Sequence, residues 1–248
     1  MRILKALSAL LTYPSDELIA ALPEIAALIE ADTLLKKADR AGLLALVDHL
    51  KGDDLFDRQE VFGLLFDRTR SLSLHLFEHV HGESRDRGQA MVDLIRVYQE
   101  GGFTPVSDEL PDFLPLFLEY ASTRDPQEAI DLIGQPAHVL TALAERLAKR
   151  SSPYEAIFRA LLTLAKAKPD AAALEKLRAE PDPEPDDLEA LDAAWAEEEV
   201  RFGPGAASDC GVDSLGPKIR QARRPAPGIE PAPQAGPRIS IHHSGTRT

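Results

Sequence analysis

The residues best suited to chemistry are two histidines and a glutamate in the first third of the chain, His75, Glu78 and His79. Their order, His-x-x-Glu-His, matches the string of inverted zinc proteases. On a helix the two imidazoles would share one face and could bind a metal, with Glu78 as the base. The string is short and no downstream carboxylate helix completes the site. We therefore favour a histidine-rich helix end in which His79 and His81 bond the backbone or nearby acids, with a zinc metalloprotease as the alternative.

The acids and arginines around these histidines do not form a second catalytic site. Acid–base work by Glu78, Glu83 and Asp86 lacks a nucleophile, since Gly82–Asp86 is not a Gly-x-Ser-x-Gly elbow. The sequence has no glycine-rich phosphate loop. The arginines are most simply ion-pair partners of the acids, in a charged layer that can shape a groove. The predicted layer joins Arg68, Arg70, Arg85 and Arg87 to Asp67, Glu78, Glu83, Asp86 and Asp93. We expect no catalytic residue, no metal site and no cofactor.

Apolar residues at helical spacing predict the elements that position these side chains. Ser15 is placed to cap one helix, and Leu34–Leu50 forms the next. A continuous apolar stripe predicts one long helix from about Asp54 to His79. Gly82 ends it, and Ser84 caps a further helix. The buried face of that further helix would contain Met91, Leu94, Ile95 and Tyr98.

Two more helix starts follow. Pro111 would lie just before or inside the first turn of a helix. Ser152 would be an N-cap, with Pro153 at the first helical position and Glu155 closing a capping box. That last helix would bury Tyr154, Ile157, Phe158, Leu161 and Ala165. No segment alternates like a strand, so we predict an all-α protein, a single-domain helical bundle over residues 1–180.

The remaining residues differ in composition from this bundle. Residues 181–202 are predicted to form an acidic proline-rich linker and a short helix, and residues 203–248 a disordered basic tail rich in Pro and Gly. The net charge is −13, but the tail from Ala206 carries six Lys or Arg and three acids, so the body carries −16. An acidic body repels nucleic acid and favours a cationic partner, although the same charge would also serve solubility alone.

Cysteine usage and apolar runs predict a cytoplasmic protein. The single cysteine, Cys210, excludes a disulfide framework within one chain. The first apolar run is interrupted by Lys5 and ended by residues 13–16, so it is interpreted as a helix rather than a signal peptide. No apolar stretch approaches the roughly 20 residues that a membrane span needs.

Three segments carry a resemblance to a known family. The longest is Leu76–Leu94, LFEHVHGESRDRGQAMVDL, and the others are Glu109–Pro115, ELPDFLP, and Leu11–Pro14, LTYP. Together they resemble the respiratory nitrate reductase assembly chaperones, the delta-subunit or NarJ family, over about Met1 to Gly203. The wider superfamily has His after the Pro-Asp pair, whereas Phe113 stands here. The resemblance therefore implies no catalytic or nucleotide-related role at that position.

This resemblance implies an all-α chaperone that helps to mature the catalytic (alpha) subunit of respiratory nitrate reductase. Such chaperones hold the apoenzyme, permit insertion of the molybdenum cofactor before membrane anchoring, and bind an N-terminal leader-like helix of their client. They are not part of the final enzyme. The expected partner is the apo catalytic subunit, with proteins that deliver the molybdenum cofactor as further candidates. Neither nucleic acid binding nor membrane insertion is expected.

We predict that the leader lays the apolar face of an amphipathic helix in a groove between helices. The predicted client-binding residues include an apolar floor and acidic side chains. The floor would be Leu72, Leu76, Phe77, Leu110 and Phe113. The acids Glu78, Glu83, Asp86 and Asp112 would meet basic residues of the leader, and His79, His81, Arg87 and Pro111 complete the predicted set. Protonation of His79 and His81 would make release sensitive to pH. The main alternative is a helical interaction protein that binds an unrelated basic partner through the same acidic face.

Overall fold

The computed structural model describes residues 1–52, 54–81, 86–105 and 109–183, together with Asp187 and Glu189. Over these residues the regular structure is helical, which confirms the all-α prediction, and an isolated bridge between His75 and Phe113 is the one β pairing. The helices are α1 Arg2–Leu10, α2 Asp16–Ala31, α3 Lys37–Gly52, α4 Leu55–Phe66, α5 Leu76–His81, α6 Asp86–Glu100, α7 Leu114–Ser122, α8 Pro126–Gly134, α9 Ala137–Lys149, α10 Glu155–Ala165 and α11 Ala171–Ala179, with a 3-10 turn at Arg70–Leu72. No helix within the described ranges is long and apolar enough to cross a bilayer.

The core is centred on α10, which packs against α3, α8 and α9. Its predicted buried face is confirmed, because Tyr154, Ile157, Phe158, Leu161 and Ala165 are all buried. Burying one such large side chain stabilises the fold by about 1.5 to 3 kcal/mol. A second layer forms where α1 packs against α2 and α7.

Two helix starts show where local signals succeed and where they fail. The hydroxyl of Ser15 accepts a hydrogen bond from the Leu18 amide at 3.3 Å, as predicted for the cap of α2. The prediction for Ser152 is wrong, since α10 begins at Glu155 after a turn and the buried Ser152 hydroxyl has no hydrogen-bond partner. Ser151, in the left-handed region at φ 51°, belongs to the tight connection from α9 that displaces the predicted cap.

The single long helix predicted from Asp54 to His79 is also wrong. Helix α4 ends at Phe66, and the chain passes through the 3-10 turn and an extended stretch before α5 begins at Leu76. The apolar stripe continues across this break because Leu72, Leu74 and Leu76 are all buried. Their backbone bonds, however, go to a distant segment, as the Leu74 carbonyl accepts from the Leu114 amide at 2.8 Å. Tertiary hydrogen bonding has overridden helical periodicity here.

Helix α6 packs against the rest of the fold through fewer buried side chains than predicted. Tyr98 is fully buried, but Met91 and Leu94 are half-buried and Ile95 is 40% exposed. The predicted ends of this region at Gly82 and Ser84 lie outside the described residues, as do Cys210, most of the predicted helix Asp187–Val200 and the tail from residue 203. The chain divides into two units, Met1–Trp195 and Ala196–Thr248, and the second lies wholly outside the described residues.

Candidate functional site

A cavity of about 540 Å³ opens where four segments meet: the end of α1, helix α4, residues 67–75 and residues 109–119. Its size falls within the range typical of ligand pockets. Apolar side chains supply most of its lining, namely Tyr13, Phe62, Phe66, Leu74, Phe113 and Leu116. The cavity is therefore a concave apolar surface.

Aromatic contacts hold the floor of this cavity in place. The Phe62 ring lies 4.8 Å from Phe66 and 5.9 Å from Tyr154, and Phe66 lies 5.2 Å from Tyr154, measured between ring centroids. Tyr13 meets the Phe62 ring edge-on at 5.8 Å but is 52% exposed, so it stands at the rim. Packed rings of this kind form a rigid surface, and the exposed Tyr13 leaves its outer edge accessible to an apolar side chain of a ligand.

Three carboxylates line the same cavity, and the nearby His75 acts electrostatically on two of them, Asp67 and Glu109. Asp67, Glu109 and Glu119 are exposed, and none of their carboxylates has a hydrogen bond or salt bridge to any residue that the structure describes. Partial burial raises the pKa of Asp67, and the nearby His75 opposes this effect. Some acids elsewhere are paired, as Glu145 is with Arg178 at 2.6 Å. The rim of the cavity therefore carries unpaired negative charge above an apolar floor.

Asp112 ties two walls of the cavity together. The side chain is fully buried, and its Oδ2 accepts a hydrogen bond from the Phe77 amide at 3.0 Å at the start of α5. Its Oδ1 lies 3.3 Å from Nδ1 of His75. The backbone carbonyl of Asp112 accepts from the Leu76 amide at 3.1 Å. Asp112 thus supplies an acceptor to the first turn of α5, where backbone amides would otherwise lack partners.

The two histidines of the zinc-protease string do not share a helical face. His75 lies before α5, and its hydrogen bond from Nδ1 to Asp112 raises its pKa, although burial opposes the shift. His79 is buried, donates from Nε2 to the Ser73 carbonyl at 2.8 Å, and has a pKa lowered by burial. The helical geometry assumed for zinc ligation is therefore wrong. Among the described residues no group of three or more His, Cys, Asp or Glu side chains is placed to hold a metal.

Comparison with known proteins supplies the family. A profile of the nitrate reductase delta subunit matches residues 32–160. The chain belongs to this family. It is 42% identical over 208 residues to the nitrate reductase molybdenum cofactor assembly chaperone NarJ of Escherichia coli (strain K12), covering 84% of this chain and 87% of that protein.

Two further members of the delta subunit family are similar over much of the chain. The probable nitrate reductase molybdenum cofactor assembly chaperone NarW of Escherichia coli (strain K12) is 39% identical over 215 residues, covering 87% of this chain and 90% of that protein. The probable chaperone NarJ of Bacillus subtilis (strain 168) is 32% identical over 157 residues, covering 63% of this chain and 84% of that protein. These names describe cofactor assembly chaperones rather than catalysts, in agreement with the prediction that the chain is not an enzyme.

Several predicted client-binding residues belong to the core of this family member. Leu72 and Leu76 are 0% and 5% exposed, and neither lines the cavity, so they offer no surface to a ligand in this structure. Pro111, Asp112 and His79 are also buried. Asp112 and His79 organise the walls from within, and their predicted contact with a client would require the structure to open.

The other predicted residues lie nearer the surface, but most of them do not line the cavity. Phe77, Glu78, His81 and Arg87 are half-buried, Asp86 and Leu110 are exposed, and Glu83 lies outside the described residues. Arg87 Nη2 lies 3.1 Å from Glu78 Oε1, which confirms one predicted ion pair of the charged layer. Phe113, half-buried, is the member of the set that lines the cavity. The client-binding role of the set stays a prediction.

Most residues that line the cavity were not predicted from the sequence. Tyr13 lies in the loop after α1, Phe62 and Phe66 come from α4, and Glu119 comes from α7. The available signals were Tyr13 within the Leu11–Pro14 segment and Glu109 at the start of ELPDFLP. Neither signal identifies a shared cavity, because only the fold brings these segments together.

Proposed function

We propose that this protein is an assembly chaperone for respiratory nitrate reductase, which binds the apo catalytic subunit and enables insertion of the molybdenum cofactor. Membership of the delta subunit family supports this role, as do relatives whose names state it. The cofactor is cargo destined for the client. Nothing in the proposal requires this chain to bind the cofactor or to carry out chemistry on it.

The cavity between α1, α4 and residues 109–119 is the proposed binding site for the N-terminal leader of the client. Its aromatic floor accepts apolar side chains spaced three or four residues apart on a helix. Its unpaired acids, Asp67, Glu109 and Glu119, suit Lys or Arg on the flank of the same helix. This pairing of an apolar floor with unpaired carboxylates is the observation that carries the proposal.

The two parts of the site contribute differently to binding. Burial of the apolar face supplies most of the affinity, at about 25 cal/mol for each Å² of apolar surface removed from water, offset by the cost of ordering the leader. The exposed acids attract a basic leader and fix its register, with a larger effect on association rate than on affinity. The rate of association is therefore expected to fall with added salt.

The test is calorimetric titration of the full chain with a synthetic peptide of about fifteen residues from the N-terminus of the nitrate reductase catalytic subunit, the length of a marginal isolated helix. We expect saturable binding that Phe113→Ala and Glu119→Gln both weaken. Asp86→Asn is the matched control, because Asp86 is an exposed acid of α6 that does not line the cavity.

Each outcome of this titration has a meaning. Loss of affinity confined to Asp86→Asn would move the site to α5 and α6, as the sequence predicted. Equal binding of an unrelated basic amphipathic peptide would favour a general interaction protein. Absence of any binding would contradict leader recognition by this chain.

A further inference from the structure

One wall of the cavity is built from backbone without regular secondary structure. Asp67, Leu74 and His75 line the cavity, yet the only regular turn between α4 and α5 is the 3-10 turn Arg70–Leu72. Such a segment has few internal hydrogen bonds, so bonds from other elements must fix its position. We call residues 69–75 the wall segment.

The end of the wall segment next to α5 is fixed by the loop that precedes α7. The Leu74 carbonyl accepts from the Leu114 amide at 2.8 Å, and the Leu76 amide just beyond the segment donates to the Asp112 carbonyl at 3.1 Å. Phe113 lies between these two bonding partners and itself lines the cavity. The same hydrogen bonds therefore fix this end of the wall segment and the part of the cavity lining that contains Phe113.

The other end is fixed from the C-terminal side of the described chain. Arg146 on α9 is 7% exposed, and its Nη1 donates to the Ser71 carbonyl at 2.6 Å while its Nη2 donates to the Leu177 carbonyl at 2.5 Å. The Ser71 hydroxyl donates to Oδ1 of Asp182 at 2.9 Å. Ser71 is thus bonded through both its backbone and its side chain.

Asp182 is itself held by a fork of hydrogen bonds. Arg150 donates from Nη2 to Oδ1 at 2.7 Å and from Nη1 to Oδ2 at 3.1 Å, and its Nη2 also reaches the Pro183 carbonyl at 3.0 Å. Lys149 lies 3.4 Å from Oδ2. Burial would raise the pKa of Asp182, but the bonds from Arg150 and Ser71 outweigh it, so the pKa is lowered and the carboxylate stays charged. Two-point arginine–carboxylate pairs are the strong, directional kind.

We propose that residues Pro181–Pro183 form a strap, and that Asp182 is a positioning residue which holds the wall segment in its binding-ready place through Ser71. The strap touches no ligand itself. It keeps most molecules in the conformation that can bind the leader. If only a fraction of molecules are in that conformation, the apparent affinity falls in proportion to that fraction. This inference rests on leader binding at the cavity.

The experiment compares Asp182→Ala with the wild-type full chain in two measurements. Titration with the leader peptide is expected to show a dissociation constant raised about threefold to tenfold, since the competent fraction falls. Amide hydrogen exchange is expected to speed up at Leu76 and Leu114, whose bonds fix the far end of the wall segment. Exchange in α2 is expected to stay unchanged. Ser71→Ala is a milder second variant that should reproduce both effects in part.

Arg178→Ala is the matched control. Arg178 joins α11 to α9 through Glu145, at 2.9 and 2.6 Å, close to the strap in sequence but without contact to the wall segment. The substitution removes a two-point arginine–carboxylate pair like that between Arg150 and Asp182. It therefore shows any effect on binding that comes only from weaker packing of α11. We expect it to leave both peptide affinity and the exchange of Leu76 and Leu114 as in the wild type.

The outcomes separate this inference from the proposed function. A raised dissociation constant for Asp182→Ala, with Arg178→Ala unchanged, supports the strap. Unchanged affinity and exchange in Asp182→Ala overturn it, as does an equal loss in Arg178→Ala. If the wild type fails to bind the peptide, leader binding fails, and the exchange measurement still shows whether the strap orders the wall segment.

Discussion

Asp112 and Asp182 hold opposite ends of the wall segment, and they differ in burial and in the charge of their partners. Asp112 is fully buried and is bonded to a backbone amide and to His75. Asp182 retains 15% of its side-chain exposure and is met by Arg150 and Lys149 as well as by Ser71. The end next to α5 is therefore anchored by a carboxylate whose one titratable partner changes charge near neutral pH, and the other end by permanent cations.

The comparison predicts that Asp112 matters more for stability than Asp182. Asp112→Ala is expected to lower the free energy of unfolding by about 2 to 4 kcal/mol, because the Phe77 amide loses its acceptor and a small cavity remains where the buried carboxylate stood. Urea denaturation followed by circular dichroism measures this change. Asp112→Asn keeps an acceptor oxygen and should cost less than half as much. A cost below about 1 kcal/mol for the alanine variant would remove Asp112 from the role of anchor.

Asp182→Ala is expected to have a smaller effect that depends on salt. The expected loss is about 1 to 2 kcal/mol, since the carboxylate is partly solvated and its bonds are charge-assisted. Raising the salt concentration from about 0.05 to 0.5 M should reduce this loss in part, because screening weakens the pair with the exposed Lys149 more than the pair with the buried Arg150. The cost of Asp112→Ala should not change with salt. Equal salt dependence for the two variants would contradict the distinction between the anchors.

The two histidines near Asp112 are expected to make opposite contributions to pH-dependent stability. The pKa of His75 is raised, so its contribution is present below the unfolded value of about 6.5 and is lost as pH rises through its folded pKa. The pKa of His79 is lowered, so its contribution is present above about 6.5 and is lost as pH falls through its folded pKa.

Proton NMR titration of the imidazoles tests this directly, with His75→Gln and His79→Gln used for assignment. His75 should titrate above the ordinary histidine range and His79 below it. Unfolding measurements should then show that His75→Gln loses most at acidic pH and His79→Gln most at alkaline pH. The reverse order in either measurement would mean that the bond between His75 and Asp112 does not govern the site.

The smallest effect is expected at the outer edge of the strap. Lys149 is 61% exposed and reaches Asp182 at 3.4 Å, so Lys149→Ala should change the free energy of unfolding by less than about 0.5 kcal/mol. The same denaturation series measures it. A loss as large as that of Asp182→Ala would show that Lys149, and not Arg150, supplies the main support.

Local sequence signals were sufficient where an element depends on its own residues. Ser15 caps α2 as predicted, and the apolar face of α10 is buried as its spacing required. The break between α4 and α5 could not be predicted in this way, because Leu72 and Leu76 continue the helical stripe across it. The bonds that cause the break come from the segment around Asp112, more than 30 residues away. A periodic pattern carries no information about such partners.

The same limit explains why the client-binding residues predicted from the sequence, apart from Phe113, do not line the cavity. The cluster of charged and aromatic residues around His79 predicted a binding surface. In the structure His79 and Asp112 are buried and bond to the backbone. The cavity is assembled from Tyr13, Phe62 and Glu119, which are scattered along the chain and carry no shared motif. Family resemblance predicted the kind of protein, but it did not identify the surface that these residues share.

The hydrogen bond between Ser71 and Asp182 spans 111 residues of chain. During synthesis at about 5 to 20 residues per second, the ribosome adds Asp182 roughly 5 to 20 seconds after Ser71. A nascent chain can therefore form the aromatic floor of the cavity before its wall segment is secured. Asp182 is translated after every residue that lines the cavity, so a chain released before it would carry the cavity without the proposed contact to the wall segment.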